Sequence, residues 1–117
     1  MNNSQKLKAK YSHLFQPGGQ LAVGDGWLPR IGQMLQEIEE YIKKHDLPEF
    51  KILQIKEKFG QLRVYTSMGN EDVYAIIYDA TEDVNKSCEI CGTEGKLDMI
   101  DGYLGVRCEQ HKNSRHA

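Results

Sequence analysis

The sequence has no apolar run approaching the ~18 to 20 residues that a membrane-spanning helix needs. Its first residues, MNNSQKLKAKYSHLF, carry lysines with no apolar stretch behind them, which argues against a secretory signal. Internal repeats, low-complexity tracts and Pro- or Ser-rich linkers are also missing, so the 117 residues are expected to form one domain over 1–117. Nor is there a large charge of either sign. Fifteen Lys plus Arg stand against 17 Asp plus Glu, a net charge of −2. That balance argues against a general nucleic-acid binder, which carries a basic excess, and against a chain that imitates a duplex by bulk acidity. With 39% hydrophobic and 27% charged residues, wholesale disorder is not expected.

The familiar catalytic motifs are absent as well. There is no His-Glu-x-x-His, no Gly-x-Ser-x-Gly and no Gly-rich phosphate loop ending in Lys-Ser/Thr. The His-x-Glu element of zinc deaminases is missing too. Gly24-x-Gly26 follows no strand and carries almost no weight as a nucleotide signature. His13 and His45 fall on expected helices without a carboxylate or nucleophile partner, which suggests surface or packing roles. A chain with no catalytic constellation is expected not to be an enzyme.

What is present is an uneven distribution of charge. Residues 1–16 carry +3, 17–50 carry −3, 51–70 carry +3, 71–101 carry −7 and 102–117 carry +2. The three lysines of the first segment, Lys6, Lys8 and Lys10, read as a solvated arm. Leu7, Tyr11, Leu14 and Phe15 recur at helical spacing, with Ser4 as the expected N-cap and Pro17-Gly18-Gly19 as the stop. The clearest helix is expected over Leu28–His45. Pro29 suits its first turn, and Leu28, Ile31, Leu35, Ile38 and Ile42 form an apolar stripe widened by Met34 and Tyr41. Trp27, at its entry, reads as a core anchor. Two alternating strands follow, Phe50–Lys56 and Gln61–Thr66, joined as an antiparallel hairpin by residues 57–60. The alternation places Leu53 and Ile55 on one face and Ile52 on the other, with Leu62 and Val64 inward and Arg63 and Tyr65 outward. Asn70 caps a third helix over Glu71–Lys86. At ~100° per residue, Glu71, Asp72, Asp79, Glu82 and Asp83 fall within about a third of its circumference and form an anionic ridge.

The three cysteines cannot pair off, and all lie near the C-terminus. Cys88 and Cys91 form a Cys-x-x-Cys pair; sixteen residues later Cys108 and His111 form Cys-x-x-His. Two-residue spacers let one tight turn aim two ligand atoms at a point. Asp101-Gly102, between Leu97–Ile100 and Tyr103–Arg107, is a strong hairpin signal that would bring the two pairs together. Three thiolates and one imidazole make a closed tetrahedral site suited to one structural Zn²⁺ per chain. His116 is an alternative to His111. Unpaired thiols also fit a reducing cytoplasm better than a secreted setting. The fold expected is α+β, with a helix–hairpin–helix part over about 1–86 packed on a small antiparallel sheet, and a zinc-binding hairpin over about 87–112.

Two motifs together carry a family resemblance. The stretch IKEKFGQLRVY, Ile55–Tyr65, is followed after a helix by Ser87-Cys88-Glu89-x-Cys91-Gly92 and then Cys108-x-x-His111. With Gly26-Trp27 ahead of a long helix, this resembles small phage and prophage zinc-knuckle proteins over about Gly24–His111. Tyr103-Leu104 departs from the Gly-Trp-like pair expected there. The resemblance implies Cys88, Cys91, Cys108 and His111 as metal ligands and implies no catalytic residue. It further suggests a counter-defence role, as a metal-binding anti-CRISPR protein that inhibits a type II RNA-guided nuclease of the bacterial host by direct contact. The anionic ridge would compete there for a basic surface that holds nucleic-acid phosphates. The alternative is a nucleic-acid-binding zinc module using Lys56, Lys58, Phe59, Arg63 and Tyr65, a basic and aromatic patch around the hairpin.

Overall fold

The amphipathic stripe centred on Ile31, Met34, Leu35 and Ile38 dictates the longest element. In the computed structural model, which describes residues 1–113, helix α2 spans Leu28–His45, as its pattern predicts. Those four side chains are fully buried. Pro29 occupies the first turn, and Lys43, Lys44 and His45 occupy the last, where the helix dipole favours cations. Asp46 then turns left-handed (φ 52°) and ends the helix. A third helix, α3, spans Glu71–Val84 and lies beside α2. Its cap is Asn70, whose side chain accepts the Val73 N–H at 3.0 Å. Val73, Ala80 and Val84 fill its buried face.

Both helices pack against one face of a three-stranded sheet. Strands β2 (Lys51–Lys58) and β3 (Gln61–Ser67) form the expected antiparallel hairpin. The connection is tighter than the four residues read from the sequence. Phe59 and Gly60 alone make the turn, both with positive φ (54° and 77°). The face assignment also changes. The register shifts between Ile52 and Gln54, so the extra residue Leu53 lets Ile52 and Ile55 point into the same core. Strict alternation, applied to the sequence, placed Ile52 on the opposite side.

The third strand was hidden in what looked like a helix and its stop. Helix α1 covers Asn3–Lys10 and is capped by Asn2, two residues before the expected cap Ser4. Asn2 accepts the Gln5 N–H at 2.8 Å while Gln5 accepts the Asn2 N–H at 2.9 Å, a capping box, and Ser4 is buried instead. After a 3₁₀ turn at Ser12–Leu14, Phe15–Ala22 forms strand β1, with Pro17-Gly18-Gly19 inside it. β1 runs parallel to β2, with a register shift between Phe15 and Gln20 that accommodates this irregular stretch. A parallel neighbour requires a long crossover, and α2 supplies it. The fold is therefore α+β as expected, on a mixed sheet of order β1-β2-β3.

The C-terminal hairpin, β4 (Lys96–Ile100) and β5 (Tyr103–Arg107), turns on Asp101-Gly102, again both at positive φ (50° and 83°). Val106 joins the same apolar cluster as Trp27, Ile31, Ile55 and Leu62, so the hairpin is seated on the body. Among the described residues, no helix is long and apolar enough to cross a membrane.

Candidate metal centre

The hairpin does what its turn predicts: it folds sixteen residues back so that the two ligand pairs meet. The ligand atoms of Cys88, Cys91, Cys108 and His111 all lie within 4.8 Å of one another. Cys91 Sγ is 3.7 Å from Cys108 Sγ, and His111 Nδ1 is 3.7 Å from Cys88 Sγ and 3.2 Å from Cys108 Sγ. A tetrahedral ion bonded at about 2.3 Å to sulfur and about 2.0 to 2.1 Å to nitrogen keeps its ligands roughly 3.5 to 3.8 Å apart. Separations of 3.2 to 3.7 Å lie near that cage, and with all four ligand atoms within 4.8 Å the cluster can hold one metal ion such as zinc. His116 lies outside the described residues.

Local backbone explains the convergence. Cys88 and Cys91 share a tight knuckle in which the Gly92 N–H donates to the Cys88 carbonyl at 2.8 Å and the Cys88 N–H donates to the Thr93 carbonyl at 2.7 Å. Cys108 and His111 sit across one 3₁₀ turn, with the His111 N–H on the Cys108 carbonyl at 3.1 Å. So short a spacer brings the nearer ring nitrogen, Nδ1, to the centre.

The surroundings favour thiolates. Burial is the largest influence on Cys108 and pushes its thiol up, but hydrogen bonds from Thr93, Cys91 and His111 outweigh it and bring it down to about 6. Burial likewise opposes ionisation of Cys88, yet backbone hydrogen bonds from Cys91, Cys108 and Ile90 hold its thiol below the ordinary value. His111 is raised in turn by its hydrogen bonds to Cys108 and Cys88. The Thr93 hydroxyl lies 3.1 Å from Cys91 Sγ, placed to donate.

Sequence reasoning missed the seat of the knuckle. The segment Gly24–Trp27, in which the glycine pair carries almost no weight as a nucleotide signature and Trp27 reads only as a core anchor, lies directly beneath it. Gly26 N–H donates to the Glu89 carbonyl at 2.9 Å, and Trp27 Nε1 donates to the Ser87 carbonyl at 2.8 Å. Trp27 is fully buried. A Cβ on Gly26 would overlap the backbone of Cys88 and stand 2.7 Å from the Cys91 nitrogen; one on Gly92 would stand 2.7 Å from the Gly26 carbonyl oxygen. Gly92 also has φ +84°, a left-handed conformation that glycine adopts without strain. Two glycines thus let two backbones touch. Behind the knuckle, Glu89 and Arg107 form an ion pair at 3.4 Å with both side chains almost wholly buried. The one available signal was a glycine pair beside the only tryptophan, some sixty residues from the cysteines.

The other site residues from the sequence fall on two surfaces. Glu71, Asp72, Asp79, Glu82 and Asp83 are all exposed on α3. The ridge is not uniform, because α2 engages its near side. Tyr41 donates to Asp72 at 2.8 Å, and Arg30 pairs with Asp83 at 2.7 Å. Glu71, Asp79 and Glu82 have no ion pair among the described residues. On the sheet face opposite the helices, β2–β3 pairing sets Lys56 beside Arg63 and Gln54 beside Tyr65. Lys56 Nζ stands 5.9 Å from the Tyr65 ring centroid, and Lys58 Nζ stands 5.6 Å from that of Phe59 at the turn.

Comparison of the chain with protein-family models, with curated proteins and with solved structures gives no match.

Proposed function

We propose that the protein works by binding rather than by chemistry: a zinc-stapled anti-CRISPR protein that docks on a type II RNA-guided nuclease and blocks its target-DNA channel. Four protein donors complete a tetrahedron and leave no position for substrate or activated water, which supports a structural role for one zinc ion per chain. The observation that carries the partner reading is the uncompensated acidity of Glu71, Asp79 and Glu82. They stand on one rigid helix over roughly 16 Å of rise, a length suited to a groove that holds a phosphate backbone. The motif resemblance points to the same class of partner. Thiols poised as metal ligands fit the reducing cytoplasm of a bacterial host.

The test is a pull-down and a target-cleavage assay with purified guide-loaded type II nucleases. Stoichiometric capture and loss of cleavage are expected. The triple substitution Glu71→Lys, Asp79→Lys and Glu82→Lys is expected to abolish both while leaving zinc content unchanged. No capture and full cleavage at excess protein across the panel would overturn the proposal.

A second reading has its own observation. Lys56, Arg63 and Tyr65 share the sheet face turned away from the helices, next to Lys58 and Phe59, an arrangement able to track a backbone and stack a base. Fluorescence anisotropy with single- and double-stranded oligonucleotides separates the two readings. Salt-sensitive binding that Lys56→Ala and Arg63→Ala weaken would select the nucleic-acid module.

A further inference from the structure

The two edges of the three-stranded sheet are protected very differently. β1 carries Pro17, two glycines and a register shift, all of which discourage another strand from pairing there. β3, the opposite edge, contains no proline or glycine, and the bulge in its ladder is carried by β2 at Leu53, which leaves the outer edge of β3 regular. Its backbone directions follow from the turn. A two-residue hairpin makes Lys58 and Gln61 a hydrogen-bonded pair, so along β3 the backbone groups of Leu62, Val64 and Thr66 point away from β2. One of them is already sealed: the Leu62 N–H donates to Asn85 Oδ1 at 2.9 Å, which also fixes the outward direction independently. Beyond Leu62 the edge borders an open cleft of about 340 Å³, walled on the far side by Tyr74, Ile77 and Tyr78 of α3. Tyr65, Tyr74 and Tyr78 are 43%, 49% and 63% exposed around it.

We infer that this edge is a homodimer interface, in which β3 pairs antiparallel with β3 of a second copy about a twofold axis at Tyr65. Asn85 selects that register. Centring on Val64 would drive Thr66 of the second copy into the Asn85 side chain, whereas centring on Tyr65 joins Val64 to Thr66 in both directions and leaves Asn85 in place. Four main-chain hydrogen bonds result. The two Tyr65 rings face each other in the closely spaced, non-hydrogen-bonded position on the outer face. Arg63 lies opposite an uncharged Ser67 and diagonal to the second Tyr65, so no like charges oppose across the strands and a cation–π contact becomes available. On the inner face, Tyr74 and Tyr78 of both α3 helices close the cleft from its two sides. At roughly 200 Å² per tyrosine, the three exposed rings of each copy supply about 600 Å² for the pair. The strand edges and Ile77 bring the total towards the ~1,000 Å² that a specific association needs, at the weak end of the range.

Sedimentation equilibrium of the zinc-loaded protein from about 1 to about 200 µM tests this. The mass is expected to rise from 13.4 kDa at the dilute end towards twice that value. Tyr65→Glu, which sets two carboxylates face to face, is expected to weaken association at least tenfold. Tyr78→Glu, on the exposed helix, is expected to do the same through the other wall of the cleft. Zinc stoichiometry and circular dichroism report that each variant is folded. A monomer at every concentration would overturn the inference. So would a dimer whose strength neither folded variant alters.

Discussion

Gly26 matters for what it omits. Any side chain there meets the backbone of the Cys88–Cys91 turn, so Gly26→Ala should cost about 1 to 3 kcal/mol of stability and loosen metal retention. Thermal melts and competition with a chromogenic chelator measure the two effects. Trp27→Phe strips the donor from the half-buried Ser87 carbonyl and leaves a void where the larger indole was fully buried, together costing about 1 to 3 kcal/mol. Elemental analysis should find one zinc per wild-type chain, and Cys108→Ser should remove most of it, since three donors remain for a four-donor ion. At this scale the four cluster residues were legible because spacing and turn chemistry are local. The seat was not, because Gly24, Gly26 and Trp27 meet the knuckle only through tertiary packing across sixty residues of chain.

Among the elements, those with a clean period were readable and those with mixed signals were not. α2 matches its stripe to the residue, and α3 begins at the cap that Asn70 announces. Asn70→Ala should cost about 1 kcal/mol, read from urea unfolding, with Tyr41 losing a hydrogen-bond donor as well. β1 was unreadable for a physical reason. Proline and paired glycines disfavour strands, and only the neighbouring β2 gives Phe15–Ala22 a ladder to join. The bulge at Leu53 is equally tertiary. It is set by the need to bury Ile52 and Ile55 together under α2 and α3, a demand that period-two alternation cannot express. On α3, reversing Asp79 and Glu82 should change stability by less than about 0.5 kcal/mol, because these side chains have no ion pair to lose among the described residues, whereas Glu71→Lys sets a cation in the first turn against the helix dipole and should cost about 1 kcal/mol. The same melts that follow Gly26→Ala detect any larger effect.

Taken whole, the molecule has one core rather than a body with a detachable finger. Val106 of the last hairpin packs with Trp27, Ile31 and Leu62, and the buried Glu89–Arg107 pair spans the knuckle and β5. Chelation should therefore lower the melting temperature of the entire protein in a single transition, with helical and tryptophan signals falling together. Two separated transitions, the first involving only the C-terminal residues, would show that the hairpin unfolds alone. Site formation in small zinc modules is worth on the order of 10 kcal/mol of apparent folding free energy, so the shift should be large. The union of the Gly24–Trp27 seat with the Cys88–His111 knuckle also has a consequence for biosynthesis. The seat leaves the ribosome some eighty residues ahead of Cys108 and His111. Trp27 must wait, uncovered, until they emerge. Metal capture thus has to follow the emergence of His111, and zinc-starved cells should accumulate a protease-sensitive chain whose first cleavages fall near that waiting tryptophan.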